Sequence, residues 1–259
     1  MCSSDLGDTR REDSLGTLVE ACRGCHDTAV AFAAPFVSGK DSLNNVFSWT
    51  DAAGKQHEIS IPPTLLATAM GQVDDVRRAV TPDLKQAGNR LAIVGLSRDD
   101  LAGSQLALTG RVSGGRVPPV DAASIRAVFA AVAAAIKGGL VAACHDCSDG
   151  GLAAGIAEMA IGGGLGARVE LAQVPAEIRD ASAAAGDFAI AFTETPGRFL
   201  CEVPATQADA FAKAVDGVAW AWIGAVTGDG RLEIVTSGGS AAIAVDRLDR
   251  AWRGERKDS

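Results

Sequence analysis

The chain has 259 residues, 47% of them hydrophobic, with a formal net charge of −8. That length and apolar content allow one large domain or two modest ones, and the acidic balance excludes a general nucleic-acid or anionic-membrane surface while leaving room for a local basic pocket around phosphate. Thirty glycines with abundant Ala and Val suggest an α/β protein with tight turns, and the absence of Tyr with 5% aromatics leaves no base-stacking platform. No apolar run reaches membrane-spanning length and the first residues lack a basic-then-apolar export pattern, so the six cysteines are expected to be reduced thiols in a cytoplasmic protein.

In chain order, residues 1–13 are polar and aperiodic, which reads as a disordered tail or a segment foreign to the fold. Residues 15–32 form a helical pattern, with Leu15, Leu18, Val19 and Cys22 on one face. A strand starts at Pro35 and ends in the small polar run Ser38–Ser42. Residues 59–73 look like a further strand region entered through Pro62 and Pro63, and 77–88 a polar connection. A domain boundary is expected near Gly88, because a fresh apolar strand, 91–96, follows. The organisation so read is a tail (1–13), a partial first domain (14–88), an α/β domain (89–252) and a charged tail (253–259).

Beyond Gly88 the pattern alternates. A short helix is expected over 99–108, with Ser97 and Asp100 at capping-box spacing. An Ala-rich helix over 121–137 is capped by Asp121, and a short buried strand follows at 139–143. Next comes the turn His145-Asp146-Cys147-Ser148-Asp149-Gly150-Gly151, then a helix with Leu152, Ile156, Met159 and Ala160 on one face. Later expectations are a strand at 168–171, paired strands at 189–193 and 198–203, and a helix at 206–215. A hairpin, 220–226 with 231–235, is expected around Gly228-Asp229-Gly230, and a last helix ends near Trp252.

Two turns carry candidate chemistry. At 145–151, Gly150 and Gly151 lack a Cβ, so another backbone or a phosphate can come close. Ser148 or Asp149 can cap the helix, and Asp146 offers hard oxygen to magnesium. The alternative is a capped helix after a Gly turn with no ligand. At 38–42, small residues, Lys40 and a hydroxyl suit an anion site but lack phosphate-loop spacing, so an ordinary polar turn stays open. Cys22, Cys25 and His26 match a haem-attachment pattern and, with Cys144, His145 and Cys147, a loose zinc set; cysteines packed as small apolar residues are the alternative.

Several stretches occur together and in one order: PFVSGKDSLNN (35–45), IPPTLL (61–66), AVTPDLK (79–85), CHDCSDGGL (144–152), AEMA (157–160) with GGGLG (162–166), and GRFL (197–200). This set resembles the phosphoribosylformylglycinamidine synthase family. The resemblance implies a truncated β-rich N-terminal domain, like that of aminoimidazole ribonucleotide synthase, followed by an α/β C-terminal domain. It implies ATP-dependent conversion of formylglycinamide ribonucleotide to formylglycinamidine ribonucleotide in purine synthesis: ATP phosphorylates the amide oxygen and ammonia from glutamine displaces it.

The match is to the second of the family's two tandem halves and begins partway through that half's first domain. The implied partners are the N-terminal half, which carries the catalytic histidines, a glutaminase subunit or domain, and a dimer or pseudo-dimer mate through the β-rich domain. The implied cofactors are ATP or ADP with magnesium. Residue by residue, Gly39 and Ser148 match nucleotide contacts, Lys40 would face phosphate, Ser42 matches a substrate contact and Asp146 a magnesium ligand. Gly150 and Gly151 belong with the nucleotide turn, and no residue is assigned as catalytic. A non-catalytic half that holds a nucleotide, or a related ATP-using enzyme of the selenophosphate synthetase or hydrogenase-maturation type, are the other readings.

Overall fold

The computed structural model describes residues 2–112, 115–178 and 183–254, and the chain divides into two compact units, 1–74 and 75–259. In the first unit, β1 (Cys2–Asp5) is followed by α1 (Glu12–Phe32), β2 (Gly39–Ser42), β3 (Val46–Thr50), β4 (Gln56–Ser60) and β5 (Thr64–Ala67). The segment expected as a disordered or foreign tail is therefore in part a strand. β1 lies between β2, parallel to it, and β5, antiparallel to it. Its backbone groups find partners on both sides, which polarity and the lack of a side-chain period could not disclose.

Helix α1 opens with Glu12 and Asp13, favourable at the positive end of its dipole. It ends at Ala33, whose φ of 51° is left-handed, with Pro35 close behind. The β3–β4 hairpin turns at Asp51, whose Oδ1 accepts from the amides of Ala53 and Lys55, both at 2.9 Å.

The second unit contains β6 (Arg90–Val94), β7 (Ser97–Arg98), α2 (Gln105–Leu108), α3 (Ala122–Lys137), β8 (Ala143–Asp146), α4 (Gly151–Gly163), β9 (Gly166–Glu170) and β10 (Ala176–Glu177). It continues through α5 (Ala183–Phe192), β11 (Phe199–Val203), α6 (Ala208–Ala214), β12 (Trp220–Thr227), β13 (Arg231–Thr236), β14 (Gly239–Ala244) and α7 (Val245–Trp252). Seven strands form one sheet in the order β14-β13-β9-β12-β6-β11-β8, all pairs antiparallel except β13 with β9.

Both faces of this sheet are covered. In β6, Leu91 and Ile93 point into a core shared with Leu152, Ile156 and Met159 of α4. Ala92 and Val94 point into the other core, with Val128 and Val132 of α3 and Phe211 of α6. That alternation is why β6 reads as an unbroken apolar run.

The boundary falls at Asp74, ahead of the expected Gly88, because the connection is tied to the second unit. Leu84 is buried in its core, and the fully buried Glu202 accepts from the amides of Lys85 (2.7 Å) and Gln86 (3.0 Å) and from Asn89 Nδ2 (2.6 Å).

Four local expectations are corrected. The run 189–193 belongs to helix α5, not a strand: Ala185, Ala189 and Ala191 favour helix, and Phe188 and Phe192 meet one turn apart with ring centres 4.9 Å apart. β12 and β13 do not pair as a hairpin, since β9 runs between them. Gly166 permits this, for a Cβ there would overlap Thr227, Asp229 and Arg231 of the connecting turn.

The strand expected at 139–143 starts only at Ala143. Gly138 and Leu140 first bond back to Ala134 and Ala135 to close α3. The helix expected over 99–108 shrinks to α2, capped by Ser104, because Ser97 and Asp100 are buried in side-chain bonds elsewhere. In the last tail, residues 255–259 lie outside the described set.

Candidate functional site

The end of β8 and the turn after it gather His145, Asp146, Ser148 and Asp149. β8 is the last strand of the sheet, paired to β11 with Asp146 opposite Phe199, so Asp146 stands where the strand leaves the sheet. Asp146 and Ser148 are exposed, and the Ser148 hydroxyl donates to Asp146 Oδ2. That hydrogen bond holds the Asp146 carboxyl below its ordinary pKa of 3.8 against the opposing effect of partial burial.

Beside it, His145 is fixed at both ring nitrogens, with Nδ1 2.7 Å from the Asp146 carbonyl oxygen and Nε2 2.9 Å from Glu158 Oε2 on α4. Cys147 is buried in the core, and burial pushes its thiol from 9.0 up to about 11.

The glycine pair serves the turn itself. Gly150 (φ 74°) and Gly151 (φ 66°) are both left-handed. A Cβ on Gly151 would overlap the Thr193 carbonyl, so the close backbone approach allowed by this glycine is made by the chain's own residues at the end of α5. Their amides are engaged too: Gly150 N donates to Glu194 Oε1 (2.8 Å) and Gly151 N to the Ser148 carbonyl (2.9 Å). Neither Ser148 nor Asp149 caps α4; the N-cap is Gly150, with no side-chain bond. Asp149 instead accepts from Gln105 Nε2 at 3.4 Å.

Glu194 is the residue that the sequence left unmarked. Its Oε1 also accepts from Gln105 N at 2.8 Å, so one carboxylate oxygen pins both the Gly150 turn and the start of α2. Nearby, Arg198 is 1% exposed, with NH1 donating to Ser97 Oγ (3.0 Å) and Nε to Thr195 O (3.0 Å). Burial lowers its pKa, opposed by Cys147, Asp100 and Glu194. The family stretch 197–200 thus contributes a structural brace.

In the first unit, Gly39, Lys40 and Ser42 share β2. Lys40 Nζ donates to Ser42 Oγ and lies 3.6 Å from Asp5 Oδ1. Asp5, set aside with the tail, is therefore the charge partner of Lys40. Cys22, Cys25 and His26 lie on α1, where His26 Nδ1 is 3.0 Å from Asp27 Oδ1. Among the described residues, no group of three or more His, Cys, Asp or Glu is arranged to hold a metal ion. The same observation bears on magnesium. Asp146 offers a single carboxylate, which fits an ion held largely by nucleotide phosphates and water but not an all-protein cage.

Comparison with known proteins bears on the family and the fold. The family described as AIR synthase related protein, C-terminal domain, matches residues 86–237. Among curated proteins, phosphoribosylformylglycinamidine synthase subunit PurL of Anaeromyxobacter sp. (strain Fw109-5) is 34% identical over 254 residues, covering 96% of this chain and 31% of that protein. The subunit of the same description from Thermoplasma acidophilum is 28% identical over 249 residues, covering 96% and 30%. The chain thus spans about a third of the length of the curated relatives it matches.

Among solved structures, Thermotoga maritima PurL complexed with ATP superposes with a TM-score of 0.64 at 15% identity, over 95% of this chain and 37% of that one. Hydrogenase maturation protein HypE in complex with ATP gives 0.60 at 19%, over 95% and 74%. At these identities the structures show a shared fold. By the match across residues 86–237, this chain belongs to the AIR synthase related family and carries its C-terminal domain.

Proposed function

We propose that this chain is the C-terminal part of a phosphoribosylformylglycinamidine synthase, an ATP-dependent carbon–nitrogen ligase of purine synthesis, and that its second unit holds ATP or ADP at the Asp146 turn. The observation that carries the reading is the 34% identity to a synthase subunit across 96% of the chain. It is supported by the exposed, ionised Asp146 and Ser148 at a strand end. Relatives of this fold have been seen with ATP, ADP and FGAR. Magnesium, where bound, would neutralise nucleotide phosphates, with Asp146 as its protein carboxylate and Ser148 orienting that carboxylate. Gly150, Gly151 and Glu194 set the turn's shape. In the first unit, Gly39 and Lys40 would meet phosphate and Ser42 the formylglycinamide ribonucleotide, with Asp5 exchanging its claim on Lys40 for that anion.

The reading leaves bond-making to other parts of the synthase, namely the N-terminal half and a glutaminase supplying ammonia, in a cytoplasmic assembly. On its own this portion would turn over no substrate. Among the described residues, no helix is long and apolar enough to cross a membrane. Pairing with a partner half or a second copy through the first unit is supported by its exposed Val37, Phe47, Leu66 and Met70. A hydrogenase-maturation role rests on fold alone, at 19% identity, and is the weaker reading.

Titration calorimetry with ADP and magnesium tests the site. Asp146→Ala should weaken magnesium-dependent binding roughly tenfold, about 1.4 kcal/mol, with an unchanged melting temperature. Equal affinity in both proteins, or a lowered melting temperature without any nucleotide binding, would make Asp146 a bracing residue only.

A further inference from the structure

Strands β8 and β11 are antiparallel neighbours, and their register sets Cys144 directly opposite Cys201. The Cys144 amide donates to the Thr81 carbonyl at 3.3 Å, and the Cys147 amide donates at 2.9 Å to the carbonyl of Arg198, the residue opposite it in the same register, so bonded and non-bonded pairs alternate from there to Cys144 and Cys201. Cys144 and Cys201 therefore form a non-hydrogen-bonded cross-strand pair, the kind whose Cα atoms approach to about 4.5 Å. Bridged cysteines have Cα separations of roughly 4.4–6.8 Å. The two sulfurs already lie 3.9 Å apart. We propose that Cys144 and Cys201 are an oxidant-sensitive pair that closes reversibly into a cross-strand disulfide, tying the edge strand β8 to β11.

The two thiols are unequal in a way that assigns their roles. Cys144 is part-exposed on the terminal strand, whereas Cys201 is wholly buried. Cys144 is then the sulfur that a small oxidant such as hydrogen peroxide can reach. Its thiolate attacks one peroxide oxygen, the S–O bond forms as the O–O bond breaks, and hydroxide leaves behind a sulfenic acid. The Cys201 sulfur then attacks Sγ of Cys144, its proton and the departing hydroxyl leaving as water. Two thiols and one peroxide give one disulfide and two waters, and a dithiol reductant reverses the step by exchange.

The third nearby thiol, Cys147, is buried in the core, out of reach of an oxidant, and stays out of the reaction. The bond would restrain the strand that ends in Asp146, so oxidation would reach the turn at 146–151. The proposal stands on the thiol geometry and is independent of nucleotide binding.

Peroxide treatment of the whole chain, thiol blocking and unreduced peptide mapping provide the test. Expected are a linked pair of peptides carrying Cys144 and Cys201, the loss of two alkylatable thiols per chain, slower amide exchange over 143–146, and full reversal by dithiothreitol. Cys147→Ala should keep the bridge. Cys201→Ala should leave Cys144 as a sulfenic acid that reacts with dimedone; because that substitution touches the core, Cys144→Ala, at a part-exposed position, serves as the second variant and should abolish the bridge with the melting curve intact. Linkage confined to Cys22–Cys25, a bridge that survives Cys144→Ala, or a native protein in which Cys144 oxidises to sulfinic acid without ever linking would overturn it.

Discussion

Leu152, Ile156 and Met159 of the second unit are wholly buried, whereas in the first unit Val37 is 81% exposed and Leu66 64%. Apolar residues are plentiful in both units, and α1 has the amphipathic spacing of a packed helix. Yet none of its 21 residues is buried. The difference lies in what each sheet can enclose. Seven strands flanked by helices on both faces form two cores, while sheets of three and two strands enclose little. An apolar stripe thus says that a face asks for cover and leaves open what supplies it. The exposed faces of the first unit are where a partner half is proposed to sit.

Truncating one leucine in each unit gives the sharpest form of that comparison. Leu152→Ala removes a side chain from the centre of a closed core and should cost about 2–5 kcal/mol. Leu66→Ala, on an exposed strand, should change stability by no more than about 0.5 kcal/mol. Urea unfolding of both variants measures this, and similar losses would mean that the first unit is packed as tightly as the second.

The same contrast explains what could be read from sequence. The apolar period of α4, the Asp121 cap and the unbroken run of β6 report on burial inside one covered sheet, and these expectations match the structure. Where a segment's partner is distant in sequence, local patterns misled. The β9 insertion between β12 and β13 depends on Gly166. The strand nature of Cys2–Asp5 depends on β2 and β5. Ser97 and Asp100 have capping-box spacing but are claimed by Arg198 and Arg116. At the candidate site, the strand-to-helix turn from Asp146 to Gly151 is legible from hydroxyl, carboxylate and glycine content. Glu194 is not, since its two amide partners lie at Gln105 and Gly150, far apart in the chain.

Titration should separate the units next. In the second, the buried Cys147 has its pKa raised from 9.0 to about 11. Between those values the folded chain keeps a proton that the unfolded chain has lost, so stability falls as pH rises. The loss should approach about 2–3 kcal/mol by pH 11, at roughly 1.36 kcal/mol per pKa unit. The buried Cys201, also raised, acts in the same direction.

In the first unit the shifted carboxylates lie at or near the surface. The Arg10 hydrogen bond lowers Asp8 from 3.8 to about 2, and Asp13 and Asp51 are also lowered. Their contribution is present above pH 3.8, is lost as pH falls towards 2, and is small because solvent screens them. Melts at pH 8 and 10.5 should show an alkaline loss that Cys147→Ala reduces. An unchanged alkaline slope in that variant would place the titrating group elsewhere.

The smallest effects concern how helices begin. In the second unit α3 starts at Asp121, whose Oδ1 accepts from Ser124 N at 3.1 Å and whose Oδ2 accepts from Ser124 Oγ at 2.7 Å. Asp121→Ala leaves that amide without its acceptor and should cost about 1 kcal/mol. Helix α4 has no such bond, because Gly150 is its N-cap. Asp149→Ala should therefore change stability by less than about 0.5 kcal/mol, although sequence alone made Asp149 a candidate cap. In the first unit α1 starts at Arg11, in extended backbone suited to a capping side chain but making no capping bond. Arg11→Ser supplies a capping side chain beside Asp13, whose Oδ1 already accepts from Ser14 N at 2.9 Å, and gives up only ion pairs to Asp13 and Glu58 at 3.4 Å on an exposed surface. A gain of roughly 0.5–1 kcal/mol is expected. Thermal melts of the three variants rank them: a loss at Asp121, little at Asp149, a gain at Arg11. A loss at Arg11 would show that its ion pairs hold the start of α1 more firmly than an N-cap can.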